Sequence, residues 1–379
     1  MNSLAPILEA WDNSIPAIPP PPKPIIPMMA HLDASSGYGI YSVSLIQALQ
    51  HSFDTQVYSP SRILDDKLPE PIMRCLLPKP SESPWEFIIY PCVIQPQSYT
   101  FRDRAIAYMT MWETTRLVSL VNPRHMQAVN VMNKCRVILT PNAWNASVFS
   151  SCGVDTPIRV VPLGADLSLF PLAPNPCIGP ILTFGTAART NGGGIRKGFD
   201  IVIEAFLRAF PRESNVRLRV KCFPKDPPMD TRNDSRIDQV RDYISTPALA
   251  DWYRTLNIFV SGSAAEGWGR HQHEAMCMGR PVIGINFGGV CEFFNEENGY
   301  ACDWRLSPGE GIYRTMGHYA KPTVEGLAAK MREAFEDRAS IIRKSKLASV
   351  SAHRFTIQRS ADCVAQVLRE FKMLPPAQP

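Results

Sequence analysis

None of the ten cysteines stands in a Cys-x-x-Cys pair. That disfavours a zinc ribbon or a thioredoxin-like redox site. Their scatter from Cys75 to Cys363 reads as a reduced, cytoplasmic protein, in which the Asn-x-Ser matches at Asn145 and Asn233 carry no meaning. No apolar run approaches the roughly 20 residues that cross a bilayer. The N-terminus shows no basic region followed by an apolar one. The expectation is a cytoplasmic chain without a transmembrane segment, with contact at a membrane periphery left open. Charge of one sign is also scarce. Forty Lys and Arg against 35 Asp and Glu give a formal net charge of +5 over 379 residues, which does not point to nucleic acid. No Asp-x-Asp triplet occurs, and no repeat of the solenoid kind.

What is present suggests two globular domains, since 379 residues exceed one ordinary core. Residues 1–24 include Pro19-Pro20-Pro21-Pro22 and read as an extended tail. From Ile25 onward, short apolar strands alternate with helical patterns. Ile25–Met29 is a candidate strand, followed by the turn Ser35–Gly39 and a helix through Val43, Leu45, Ile46 and Leu49. Later strands are expected at Phe87–Tyr90, Ala105–Met109 and Arg136–Thr140. A second series opens at Ile181–Gly185 and continues with a helix over Asp200–Phe210. Its further strands are Val216–Cys222, Asn257–Val260 and Pro281–Ile285. Such alternation implies parallel sheets covered on both faces.

The break falls near Leu172–Pro176, where two prolines interrupt the pattern. This gives domains at 25–172 and 173–356, the first completed by a C-terminal helix within 357–379. Charge follows the division. Residues 1–172 hold 12 Lys+Arg against 13 Asp+Glu, leaving 28 against 22 beyond. The second domain would therefore welcome an anion, and a cleft between two such domains is a common ligand site.

The densest chemistry lies in Glu266-Gly-Trp-Gly-Arg-His-Gln-His-Glu274. Gly267 and Gly269 allow close backbone approach. A helix N-terminus just after these glycines would offer free N–H groups and a positive dipole end, a place for a diphosphate. Two carboxylates there suit hydroxyl groups better than phosphate. His271 and His273 lack the i, i+4 spacing of helical metal ligands and read as ordinary polar residues. Trp252 and Tyr253 read as core.

Three motifs in order resemble retaining glycosyltransferase family 4. They are Glu266-Gly-Trp-Gly…Glu274-Ala-Met-Cys-Met-Gly with the following Gly288-Gly289…Glu292; Gly185…Arg196-Lys197-Gly198-Phe199-Asp200; and Val160-Val-Pro-Leu-Gly-Ala-Asp166. The resemblance spans nearly the whole chain after residue 25. It implies an α/β architecture of GT-B type, two Rossmann-like domains facing a central cleft. The donor, a nucleotide-diphosphate sugar such as a UDP- or GDP-hexose, would bind mainly to the second domain. Carried over, Lys197 meets the donor diphosphate, Glu274 the ribose and Glu266 the hexose. Gly267, Trp268 and Gly269 bring backbone donors, and Gly37 and Gly39 lie under the phosphates from the first domain.

Where the family places an arginine after the glycine of Gly185, this chain has Thr186, so Arg189 or Arg196 must be the second cation. Arg270 stands at a position the family often fills with an apolar residue, in reach of the donor. Glu113, after the strand ending at Met109, is the first-domain candidate for donor or acceptor; His125 and Asp33 are weaker ones. The activity implied is transfer of a hexose to a glycan or lipid-linked acceptor, without a required metal or cofactor. A silent nucleotide-sugar-binding scaffold, or an epimerase or phosphorylase of the same fold, stays open as an alternative.

Overall fold

A computed structural model describes residues 22–33, 36–60, 68–90, 105–117, 126–173, 178–188, 194–224 and 226–375. Most of the proline-rich tail, Arg189 and His125 lie outside these residues. The first sheet is built from β1 (Ile25–Ala30), β2 (Asp54–Tyr58), β3 (Trp85–Ile89), β4 (Ala105–Met109), β5 (Val137–Thr140) and β6 (Ile158–Val160). These strands pair in parallel in the order β2-β1-β3-β4-β5-β6. Interleaved are α1 (Gly37–Leu49), α2 (Glu70–Arg74), α3 (Met126–Met132) and α4 (Ala143–Ser151). Runs such as Val137-Ile-Leu-Thr140 are buried throughout, as expected of strands covered on both faces.

The second sheet repeats the plan. Strands β7 (Leu182–Ala187), β8 (Val216–Cys222), β9 (Ile237–Arg241), β10 (Ile258–Val260), β11 (Val282–Gly284) and β12 (Tyr300–Ala301) lie in the order β12-β11-β10-β7-β8-β9. They too run parallel. The helices are α5 (Gly194–Lys197), α6 (Phe199–Ala209), α7 (Thr246–Arg254) and α8 (Arg270–Cys277). Helix α6 buries Phe199, Val202, Ile203 and Phe206, an apolar stripe at helical spacing that faces the sheet.

Several elements were not read from the sequence, among them β2, β9, β12 and α7. A hairpin, β13 (Trp304–Pro308) with β14 (His318–Pro322), follows β12. Two long helices, α9 (Val324–Glu336) and α10 (Arg338–Ala352), come next. The anticipated turn over Ser35–Gly39 is in fact the first turn of α1. Ser36 is its N-cap, and its hydroxyl accepts from the Gly39 N–H at 2.9 Å. A serine cap satisfies one of the helix's free donors, so two glycines in the first turn do not prevent the helix.

The chain then returns to the first domain. Helix α11 (Ile357–Glu370) is capped by Thr356 and buries Ala361, Val364, Ala365 and Leu368. That stripe packs in one core with Leu45 and Leu49 of α1, and the Tyr41 hydroxyl meets Ser360 Oγ at 2.7 Å. The return segment crosses the outgoing one backbone to backbone. Ala165 N donates to Phe355 O at 3.1 Å, and Ile357 N donates to Ala165 O at 2.9 Å. Gly164 permits this approach, because a Cβ there would sit 2.1 Å from the Thr356 carbonyl. Neither backbone can give way cheaply. Gly164→Ala is therefore expected to destabilise by about 1–3 kcal/mol through overpacking, read as a lower denaturant midpoint with an unchanged slope.

Candidate active site

The carboxyl ends of both sheets face each other. In open parallel sheets such ends, where the strand order reverses, are where ligands bind. The first order reverses beside β1 and the second beside β7 and β10. A cavity of about 360 Å³ opens between them, lined from the first domain by His31, Gly37, Tyr38, Met111 and Glu113. From the second come Arg196, Lys197, Lys221, Phe223, Tyr243, Glu266, Gly269, Arg270 and His271.

Glu266 organises the charges at one end. Lys197 Nζ donates to its Oε1 at 2.6 Å, and Arg196 Nη1 lies 3.5 Å from its Oε2. Arg196 is fixed further by a bond from Nη1 to the Ala265 carbonyl. Its guanidinium lies 5.6 Å from the centre of the Tyr313 ring. Burial by itself would raise the Glu266 carboxyl; Lys197 and Arg196 outweigh it and hold the group down to about 2. Burial and the neighbouring Arg196 pull Lys197 below its ordinary value. Glu113 responds in the opposite sense. Burial raises it above the carboxylate range, with Arg196 opposing and Glu266 adding to the rise. Tyr313, whose ring faces the Arg196 guanidinium, stacks edge-on against Trp112 at 5.4 Å. Glu113 thus belongs to the same charge cluster as Lys197 although it comes from the other domain.

The helix opens just after the glycines, as read: α8 starts at Arg270, with Gly269 as N-cap at φ 91°. That left-handed geometry favours glycine. The free N–H groups at the cavity therefore belong to Arg270 and its successors, and Glu274 lies in the second turn. Its Oε1 accepts from Arg270 Nε, and its Oε2 accepts from the Tyr253 hydroxyl at 3.0 Å. Burial opposes its ionisation, but the Arg270 charge prevails, with His271 assisting, and holds it down to about 2. The Tyr253 oxygen also lies 2.8 Å from His271 Nδ1.

Of the remaining residues, two side chains are core and Gly39 lies off the cavity. The Trp268 side chain is only 2% exposed and is wedged among His273, Phe293 and Phe355 at 5.3–5.4 Å. Its indole is core, whatever its backbone offers. His273 is likewise core, with Nε2 3.0 Å from the Ala352 carbonyl. Gly39 does not line the cavity; a Cβ on it would strike the Asp33 carbonyl at 2.0 Å, so its smallness serves the packing of α1. Gly37 does line the cavity, with open space where a Cβ would point. Between Arg189 and Arg196 as second cation, the structure places Arg196 beside Lys197; Arg189 is outside the described residues.

Several residues at the site carried no motif. Asn142 and Asn145 are fully buried. Their Nδ2 groups donate to the Gly267 carbonyl at 2.7 and 3.0 Å, and Asn145 Oδ1 accepts from Trp112 N at 2.6 Å. Tyr38 hydrogen-bonds both backbone groups of Met111 at 3.0 and 3.2 Å. Lys221, 6% exposed, ends β8 with its ammonium 4.2 Å from the Phe223 ring centre. Its position at a strand's carboxyl end was the one available signal. Among the described residues no group of three or more His, Cys, Asp or Glu is arranged to hold a metal, no helix is long and apolar enough to cross a membrane, and the eight described cysteines are free thiols.

The opposed shifts of Glu266 and Glu113 predict opposed effects on stability. Glu266 has a lowered value, so its contribution is present above about 4.5 and fades as pH falls toward about 2. Glu266→Gln should lower the melting temperature at pH 7, and the gap should close on acidification. Glu113 has a raised value, so its ionised form costs stability at neutral pH and the cost vanishes below the ordinary carboxylate range. Glu113→Gln should raise the melting temperature at pH 7 and do nothing at pH 4. Melting curves across pH check both signs.

The comparisons with known proteins fit this geometry. Residues 182–310 match the family model described as Glycosyl transferases group 1. No curated protein matches the sequence. Among solved structures, Anabaena HepE in complex with UDP-glucose superposes with a TM-score of 0.69 at 14% identity, over 91% of this chain and 99% of that one. Sucrose-phosphate synthase from Thermosynechococcus elongatus gives 0.69 at 16% identity, over 92% and 99%. The pneumococcal O-GlcNAc transferase GtfA with UDP and GlcNAc gives 0.55 at 13%, over 76% of this chain and 57% of that one. Residues 182–310 are accordingly similar to a glycosyl transferases group 1 domain, set in a chain with the two-domain GT-B fold.

Proposed function

We propose that the protein transfers a hexose from a nucleotide-diphosphate sugar to a glycan or lipid-linked acceptor with retention at the anomeric carbon. The observation that carries this reading is the partly buried cation pair Arg196–Lys197 gathered around Glu266 at the cavity between the two sheets. Phe223, Tyr243 and Ile244 line the same cavity and offer an apolar, aromatic surface suited to a flat base. Lys197 and the first N–H groups of α8 are suited to the diphosphate. Glu274 would take the ribose hydroxyls and Glu266 the hexose hydroxyls. HepE and GtfA, which share the fold, are described with UDP and sugars bound, which supports a donor of this class.

As the bond to the anomeric carbon breaks, negative charge grows on the leaving phosphate. Fixed cations and helix N-terminal amides in a water-poor site stabilise that charge. Lys197 and α8 supply both, which is the basis for proposing that no metal is required. The leaving oxygen can accept the acceptor's proton on the face it departs from, consistent with retention. Glu113 reaches this cluster from the first domain, where an acceptor would enter. It would touch the acceptor or the reacting sugar.

The test is sugar transfer and donor hydrolysis with UDP- and GDP-hexoses. Lys197→Ala should lower kcat/KM by about 100-fold or more, the size of effect seen on losing one group that stabilises developing charge. Glu274→Ala should act mainly on KM. Unchanged rates in both variants would sink the reading. Chelator treatment should leave the rate unchanged; a loss restored by manganese would overturn metal independence.

A further inference from the structure

Behind the large cavity lies a second of about 30 Å³, lined by Tyr41, Gly164, Asp166, His273 and Glu274 among others. Glu274 lines only this inner space, and it is 2% exposed. The wall shared by the two cavities is made by Ile40, Leu163, Thr246, Trp268 and Arg270. Of these, Arg270 alone is charged, and its guanidinium holds Glu274 directly.

A hydroxyl in the outer cavity therefore reaches the Glu274 carboxylate only past Arg270. The side chain has room to move: it is 22% exposed and sits at the first position of α8, where no preceding turn crowds it. Tyr253 would keep its bond to Oε2, so Glu274 stays oriented while Oε1 is released. Of the other cations lining the outer cavity, Lys221 stands over the Phe223 ring and two are engaged with oxygens. Lys197 is bonded to Glu266, and Arg196 is held by Glu266 and the Ala265 carbonyl. Removing Arg270 from a buried carboxylate is costly unless a new anion takes the guanidinium and new donors take the carboxylate.

Resting on the donor assignment above, we propose that Arg270 is a partner-exchange gate: it leaves Glu274 for the donor's diphosphate and so uncovers the carboxylate for the ribose. The diphosphate and the ribose then bind as a coupled pair. A nucleoside without phosphates must open the gate with nothing to receive the arginine. The gate thus selects diphosphates over nucleosides beyond what Lys197 supplies.

The experiment is calorimetric titration of the full chain with UDP and uridine, and with GDP and guanosine. The wild type, Arg270→Leu and Arg270→Lys are compared. In Arg270→Leu the diphosphate should weaken by about 10-fold or more, an order of magnitude per lost charged contact, while the nucleoside binds as well as before or better. The preference should narrow accordingly. Arg270→Lys, which keeps the charge but not the Nε–H geometry, should fall between and guards against a folding defect in the leucine variant. The Leu variant's diphosphate affinity should also drop on acidification at a higher pH than the wild type's, because Glu274 has lost its cation. Equal weakening of nucleoside and diphosphate, or no change in either, overturns the gate. A wild type that binds no nucleotide at all overturns the donor assignment together with it.

Discussion

The peptide after Glu266 is held by the other domain. Two buried asparagine amides, Asn142 and Asn145, converge on the Gly267 carbonyl, and Asn145 in turn receives the backbone N–H of Trp112. Amides with no access to water must be paired, so this network has one satisfactory arrangement. In it, Glu113, the residue after Trp112, and Glu266, the residue before Gly267, approach from opposite sides. The nearness of Glu266 adds to the rise of Glu113. The second domain supplies the cations, while the first fixes the loop that carries their partner.

The site is assembled from three local devices, each simple. A left-handed Gly269 starts α8 so that its N–H groups face the cavity. A buried carboxylate, Glu266, gathers two cations that burial alone would penalise. Tyr253, packed under the helix with 0% exposure, fixes the angle of Glu274 and His271 through one hydroxyl. None of these contacts exceeds ordinary hydrogen-bond or ion-pair strength. What distinguishes them is that they share one partly closed space, where solvent screening is weak.

The sequence carried many strands, such as the unbroken apolar run Ala105–Met109 and the alternating Val216–Cys222, both found as read. The Glu266–Glu274 and Arg196-Lys197-Gly198 motifs led to residues that do line one cavity, with Glu274 set just behind it. What failed was local geometry. The Ser35–Gly39 turn came from treating glycine as a helix breaker, where Ser36 acts as a cap. The hairpin β13–β14 escaped notice because its burial pattern is mostly exposed on one strand, so no apolar alternation marks it. Asn142 and Asn145 escaped because their importance is tertiary: nothing near them in sequence says that Gly267 lies above.

That unforeseen hairpin does more than extend the second domain. From its tip, Met316 accepts the Thr114 hydroxyl at 2.7 Å; His318 exchanges hydrogen bonds with Thr115, both at 2.9 Å. The domains are thus joined at three separated places: the crossed strands at Gly164, the asparagines at Gly267, and this tip. Three fixed points define a plane, and two bodies fastened in a plane cannot swing about a single axis. Widening the cleft on this side breaks the hydrogen bonds that Thr114 and Thr115 make with the hairpin.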